Sequence, residues 1–99
     1  MAISAAEVER LAILSEESGE VIRAVGKIMR HGYESTDPTG KDKGTNREQL
    51  ENELGNLLLC LEMMEANGDI NLSAIIASAK KKSRTINKYL YFNVVKPHV

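Results

Sequence analysis

Ser4-Ala5-Ala6-Glu7 opens a stretch in which Val8, Leu11, Ala12, Leu14, Val21, Ala24, Val25 and Ile28 recur at helical spacing, up to about Arg30. The Ser4 hydroxyl can accept from the third helical N–H while Glu7 reaches back to the cap, so four residues specify where a long helix begins. Gly32 supplies a left-handed stop. Gly19 and Gly26 interrupt the pattern and read as places where another helix approaches closely. A second run, Leu50, Leu54, Leu57, Leu58, Leu61 and Met64, follows a capping-box-like start at Asn46-Arg47-Glu48-Gln49 and continues to about Ala66, with Gly68 ending it. Asn71 caps a last helix carrying Leu72, Ile75, Ile76, Ala79, Ile86 and Leu90, and Pro97 lies beyond its end.

Between the first two helices, about residues 31–46, Gly32, Pro38, Gly40 and Gly44 are interspersed with Ser, Thr, Asp and Lys. A loop of this length in a small domain is usually a functional lid or a mobile segment. One Phe, three Tyr and no Trp among 99 residues leave little of the aromatic stock from which strands are built. The chain reads as all-α: a single domain over residues 1–99 with three to four helices, the fourth a short turn in the loop. Three helices leave apolar faces that one copy can hardly cover, so the bundle is expected to be completed by oligomerisation.

Thirteen Lys and Arg against fourteen Asp and Glu give a net charge of -1, which argues against a nucleic-acid polymer as partner. The lone Cys60 excludes an intrachain disulfide framework and a zinc knuckle. No long apolar run predicts a membrane span, and the N-terminus lacks a signal-peptide layout, so a cytoplasmic setting is expected.

Four polar residues depart from the solvent-facing pattern. At about 100° per residue, Glu17 and Glu20 lie about 60° apart. They share a sector with Ile13, Ala24 and Ile28 at the edge of the apolar stripe, while Glu16 points further round toward water. Glu53 stands amid Leu50, Leu57, Cys60 and Met64, with Asn56 one turn along on the flank. A lone carboxylate there is costly to desolvate and must neutralise or find a partner, a lysine or a cation. Carboxylate and amide oxygens facing inward from two helices suit a hard cation such as Mg²⁺, which keeps several waters and bridges to phosphate.

Glu16-Glu17-Ser18-Gly19-Glu20 and Glu53-Leu54-Gly55-Asn56 resemble the paired EExxE and ExxD motifs of the MazG-like all-α nucleoside triphosphate pyrophosphohydrolases. The strings LSEESGEVIRAVGKIMRHG and NREQLENELGNLLLCLE are similar to the compact phage and mobile-element members. The likeness covers most of residues 10 to 90. It implies Mg²⁺-dependent hydrolysis, with Mn²⁺ as a substitute, of a nucleoside triphosphate to the monophosphate and pyrophosphate, a nucleotide-pool housekeeping reaction. It also implies a homodimer or homotetramer.

The resemblance makes Glu17, Glu20, Glu53 and Asn56 the metal ligands, Asn56 standing where the family has aspartate. It places Glu16 at the first acid of the motif, able to orient water. The lost charge at Asn56 weakens the expected metal site and raises an alternative, a catalytically weak or inactive nucleotide- and metal-binding regulator. From a different class, a helical protein-interaction module would use the Lys-rich last helix. On that helix Lys80 and Lys82 flank the apolar stripe and, with Asn87, are the expected phosphate-binding side chains, while Lys81, Arg84 and Lys88 read as a solvated face. His31 reads as a helix-end residue. Cys60, Met63 and Met64 read as packing residues, with Cys60 or Met64 as candidates to line a base pocket.

Overall fold

The computed structural model describes residues 2–92, and Pro97 lies outside them. Those residues are all-helical apart from one isolated bridge: α1 spans Ala5–His31, α2 Asn46–Ala66 and α3 Leu72–Ser83, and a single 3₁₀ turn, η1, covers Ile86–Tyr89. They divide into two compact units, Met1–Asp69 and Ile70–Val99.

In the first unit both helices start on complete capping boxes. Ser4 accepts from Glu7 N while Glu7 accepts from Ser4 N, as the sequence predicts. The second box is one residue earlier than expected: Thr45, not Asn46, is the N-cap, reciprocally bonded with Glu48. Asn46 is instead the first helical residue and is buried, its amide donating to the Gly32 carbonyl at 3.0 Å. Thr45 wins because its partner three residues on is a carboxylate, a better acceptor for the cap N–H than the amide of Gln49. The end of α2 is a Schellman turn: Gly68, at φ 79, donates to Glu65 O and Asp69 donates to Met64 O.

The loop is tied down rather than structureless. Asn46 N donates to Ser35 O and Arg47 N to Tyr33 O, both at 2.8 Å, so chain leaving α1 is fastened to chain entering α2. Thr36 and Thr45 form an antiparallel bridge, and Arg47 pairs with Glu34 and stacks over the Tyr33 ring. Asp37 organises the tip, accepting from Thr39 N, Thr39 Oγ1 and Asp42 N. The loop contains no helical turn; the extra turn expected there is found after α3 instead.

α1 and α2 are antiparallel. At one end Arg10 makes a two-pronged ion pair with Asp69, and Cys60 lies under the Arg10 carbonyl. At the other, Lys27 Nζ bonds Asp42 at 3.0 Å and Gln49 Oε1 at 3.3 Å. The face of α1 turned to α2 runs through Ile13, Leu14, Glu17, Glu20, Val21, Ala24 and Ile28; that of α2 runs through Leu50, Glu53, Leu57, Cys60, Leu61 and Met64. Glu17 thus stands in the middle of the packed stripe, while Glu20 keeps the expected place at its edge, its side chain 43% exposed.

The apolar series expected to form one stripe on α1 is in fact two. Val8, Leu11, Ile22, Val25 and Met29 are exposed, with Ile22 at 71% and Met29 at 82%. They follow a three-four spacing, with Ser15 and Ser18 in the middle places, on a row roughly 130° from the α2-facing one. Leu54, Leu58 and Leu59 are exposed on α2. A β-carbon added at Gly19 or Gly55 would meet no atom within 4 Å, and one added at Gly26 would meet only the flexible end of Arg30. The close helix approach expected at Gly19 and Gly26 is therefore absent within the described chain, because both lie off the α2-facing row. Ala24, Cys60 and Met64 are the buried apolar side chains among the described residues, a small core for two long helices.

In the second unit Asn71 caps α3 through a bond from Ala74 N, as expected. The helix stops at Ser83 rather than continuing through Ile86 and Leu90. Ser83 Oγ bonds the Lys80 carbonyl at 2.7 Å and Thr85 Oγ1 the Lys82 carbonyl, while the Arg84 and Thr85 N–H groups fall back on three-residue bonds. Hydroxyl side chains competing for the last carbonyls end the regular ladder.

The Asp42 N–H, the Thr39 N–H and the Thr39 hydroxyl hold the Asp37 carboxyl down from 3.8 to about 2. With the folded value below the unfolded one, the ionised group's contribution is complete above 3.8 and is lost as pH falls through about 2. Asp37→Asn is expected to lower Tm at neutral pH, with the difference from wild type vanishing toward pH 2; a Tm series against pH checks the sign and the window.

Candidate functional site

The middle and loop end of the α1–α2 seam open into a cavity of about 620 Å³. α1 contributes Glu20, Arg23, Ala24 and Lys27; the loop contributes Lys41, Asp42, Lys43 and Gly44; α2 contributes Glu48, Gln49, Asn52 and Glu53. Ala24 and Gly44 are the only apolar members, so the lining is built for a charged ligand rather than a ring. Helical spacing explains the set: Arg23 and Lys27 follow Glu20 by three and seven residues, and Gln49 precedes Glu53 by four.

The charges divide by their commitments. Glu48 is spent on the α2 cap; the Thr45 backbone N–H and then its hydroxyl hold that carboxyl below its ordinary value. Asp42 is spent on Lys27. Glu20 meets only Arg23, at 4.0 Å on a mostly exposed pair, which is worth little in water. Glu53 makes no ion pair or hydrogen bond among the described residues, so the lysine partner that would explain it structurally is not there. Lys41 and Lys43 likewise make no ion pair among the described residues. What remains is Glu53, and Glu20 with its loosely paired Arg23, on the helices, and two ammonium groups on the loop.

Of the residues singled out by sequence, Glu20 and Glu53 share this cavity. Glu17 is half-buried in the seam, and its Oε2 is buried without a hydrogen-bond partner. Glu16 is exposed, as expected, and Asn56 is exposed and outside the cavity lining. Among the described residues no three His, Cys, Asp or Glu side chains form a metal-holding group. Lys80 and Lys82 are exposed and Asn87 half-buried, all three in the second unit. Lys82 Nζ stands 4.9 Å from the Tyr89 ring centre. Cys60 and Met64 are buried, and His31 closes the last turn of α1 with Arg30, as expected.

Arg23, Lys27, Lys41, Lys43, Gln49 and Asn52 went unmarked in the sequence. Lys27 and Gln49 carried a signal, since each follows or precedes an inward acid at helical spacing, while Arg23 and Asn52 are exposed and carried none. The loop lysines carried none, because no period governs a loop.

The donor set suits a hard divalent cation. All candidates are oxygens, one carboxylate oxygen is buried and unpaired, and Mg²⁺ is commonly held by only one or two carboxylates plus water and substrate phosphate. Two acids from facing helices, Glu20 and Glu53, meet that requirement without a third protein ligand.

A family model described as the MazG nucleotide pyrophosphohydrolase domain matches residues 7–90, a span that holds both acidic motifs. No curated protein and no solved structure matches the chain. No helix among the described residues is long and apolar enough to cross a membrane.

A carboxylate kept without a partner on a packed helix face is a stability defect that chemistry would explain. Glu53→Leu is expected to raise Tm by roughly 4 °C in metal-free buffer. A thermal melt of both proteins reads it, and an unchanged or lowered Tm would show that Glu53 is structurally satisfied.

Proposed function

The chain belongs to the MazG nucleotide pyrophosphohydrolase domain family, and from that premise we propose that it hydrolyses a nucleoside triphosphate between the α- and β-phosphates with Mg²⁺, Mn²⁺ serving in its place. The observation that carries the reading is the meeting of Glu20 and Glu53, from antiparallel helices, in one cavity that also presents free cationic side chains. Ribo- or deoxyribonucleoside triphosphates are the substrate class and nucleotide-pool housekeeping in the cytoplasm is the setting.

In this reading Glu20 and Glu53 would hold the metal from the cavity, and Glu17 and Asn56 are the further ligands that the family motif implies. A bound divalent cation neutralises phosphate charge and lowers the pKa of the attacking water. The carboxylates fix where that charge is met, and Glu16, on the exposed side of its motif, orients water. The oxygen of water bonds to the α-phosphorus, the bond from that phosphorus to the bridging oxygen breaks, and pyrophosphate leaves. One carboxylate of the set takes the water proton. Lys80, Lys82 and Asn87, the phosphate-binding candidates of the family reading, are carried by the second unit.

Pyrophosphate release from a panel of triphosphates, with Mg²⁺ and with EDTA, tests this directly. Metal-dependent release with a monophosphate product is expected, and Glu53→Gln is expected to reduce kcat by about 10²-fold or more while the fold survives. Equal turnover by Glu53→Gln would remove Glu53 from the chemistry.

Asn56 favours one alternative, a binding regulator with little or no turnover, because its neutral amide is exposed where the family motif has an acid. That reading predicts saturable nucleotide binding without pyrophosphate release from wild type, and turnover gained in Asn56→Asp.

The homo-oligomer, dimer or tetramer, is supported by the exposed three-four row on α1. A second copy covering Val8, Leu11, Ile22, Val25 and Met29 would supply the apolar burial that one hairpin lacks. Wild type is expected to sediment as a dimer or tetramer and Ile22→Lys as a smaller species; identical sedimentation would place the interface elsewhere.

A further inference from the structure

The cavity has a polarity that the acidic motifs alone do not give. With Lys27 and Asp42 paired to each other and Glu48 spent on its cap, the helix side carries Glu20, Glu53 and Arg23, and the loop side Lys41 and Lys43. Gln49 lines the same cavity. Lys27 can only donate, so its 3.3 Å contact fixes the Gln49 amide with Oε1 toward the lysine. That leaves Nε2 as a buried donor with no partner. An orphaned buried donor costs free energy that an incoming acceptor returns.

The N-terminus of α2 offers nothing to an anion. The first four N–H groups of α2 are already taken by Ser35 O, Tyr33 O, Thr45 Oγ1 and Thr45 O. An anion here is therefore not held by the helix terminus. Ala24 is the only hydrophobic side chain among the lining residues and none is aromatic, so the cavity offers a nucleobase no ring to stack on.

We propose that Lys41, Lys43 and the Gln49 amide form the subsite for the terminal diphosphate of the substrate, the part that leaves as pyrophosphate. The proposal rests on the pyrophosphohydrolase reading and adds a direction to it. The α-phosphorus lies toward Glu20 and Glu53, the β- and γ-phosphates lie toward the loop, and the nucleoside lies outside this cavity. The loop thereby recognises the one feature every nucleoside triphosphate shares, and selection among bases is left to other residues.

The test uses inorganic pyrophosphate with Mg²⁺ as the calorimetric ligand, on wild type, Lys41→Ala/Lys43→Ala and Gln49→Glu. Both variants are expected to bind pyrophosphate about tenfold more weakly. Pyrophosphate is expected to inhibit wild-type turnover competitively, and the double variant to raise KM more than it lowers kcat. The two lysines are exposed, so the double variant keeps the question open to test if Gln49→Glu fails to fold.

Wild-type affinity in the double variant alongside normal turnover would overturn the subsite and leave the reaction standing, as would a wild type that turns over substrate yet does not bind pyrophosphate. Weakened pyrophosphate binding in a protein with no turnover on any triphosphate would support the subsite and sink the hydrolase reading. Weakened binding of free pyrophosphate with unchanged KM for the triphosphate would overturn the assignment to the nucleotide's own diphosphate.

Discussion

The seam between α1 and α2 has to do two incompatible things. It must hold two long antiparallel helices together, and its central rows carry Glu17, Glu20 and Glu53 where aliphatic side chains would hold best. The result is a core whose buried apolar members are Ala24, Cys60 and Met64. The helices are pinned instead at their ends, by Arg10 with Asp69, at 15% and 12% exposure, and by Lys27 with Asp42 and Gln49. Strong polar contacts at the ends leave the middle open for charge. Capping serves the same economy: two complete capping boxes and a Schellman turn satisfy helix ends locally, so little depends on the core to set where each helix begins.

Local chemistry explains how much of this was legible. Ser4 with Glu7, Gly68 and Asn71 each carry their signal within a few residues and do in the structure what their spacing predicts; Gly32 ends α1 where expected, but at φ 88 and ψ 166, outside the left-handed helical conformation. Thr45 was missed by one position because two overlapping four-residue strings fit the same pattern, and only the greater acceptor strength of Glu48 separates them. The early end of α3 was hidden because Ser83 and Thr85 are tolerated in helices and break this one only by bonding carbonyls behind them. On α1, summing two apolar rows into one moved the apparent centre of the stripe and left Glu17 and Glu20 at its edge. Separating the rows puts Glu17 at the centre of the seam and leaves Glu20 on its margin.

The site was legible in its acids and not in its cations. Carboxylates on an apolar face are conspicuous because a period exists against which they are misplaced. Lys41 and Lys43 sit in a loop whose fold depends on Asp37, on the Tyr33 and Ser35 carbonyls and on Gly44, at φ 86. None of those dependencies shows as a repeat. What the folded loop adds is the juxtaposition of its lysines with an unpaired amide on α2, a relation between residues that only the closed hairpin creates.

The two rows of α1 also divide the helix into separate concerns. Glu20 and Ile22 are two residues apart in sequence yet point into different environments, one into the charged seam and one outward among exposed aliphatic side chains. A change in the outer row need not disturb the carboxylate geometry, and a change in the seam need not alter the outer surface. A lineage of such chains is therefore free to exchange its associations, copy with copy, while the groove that meets phosphate stays as it was.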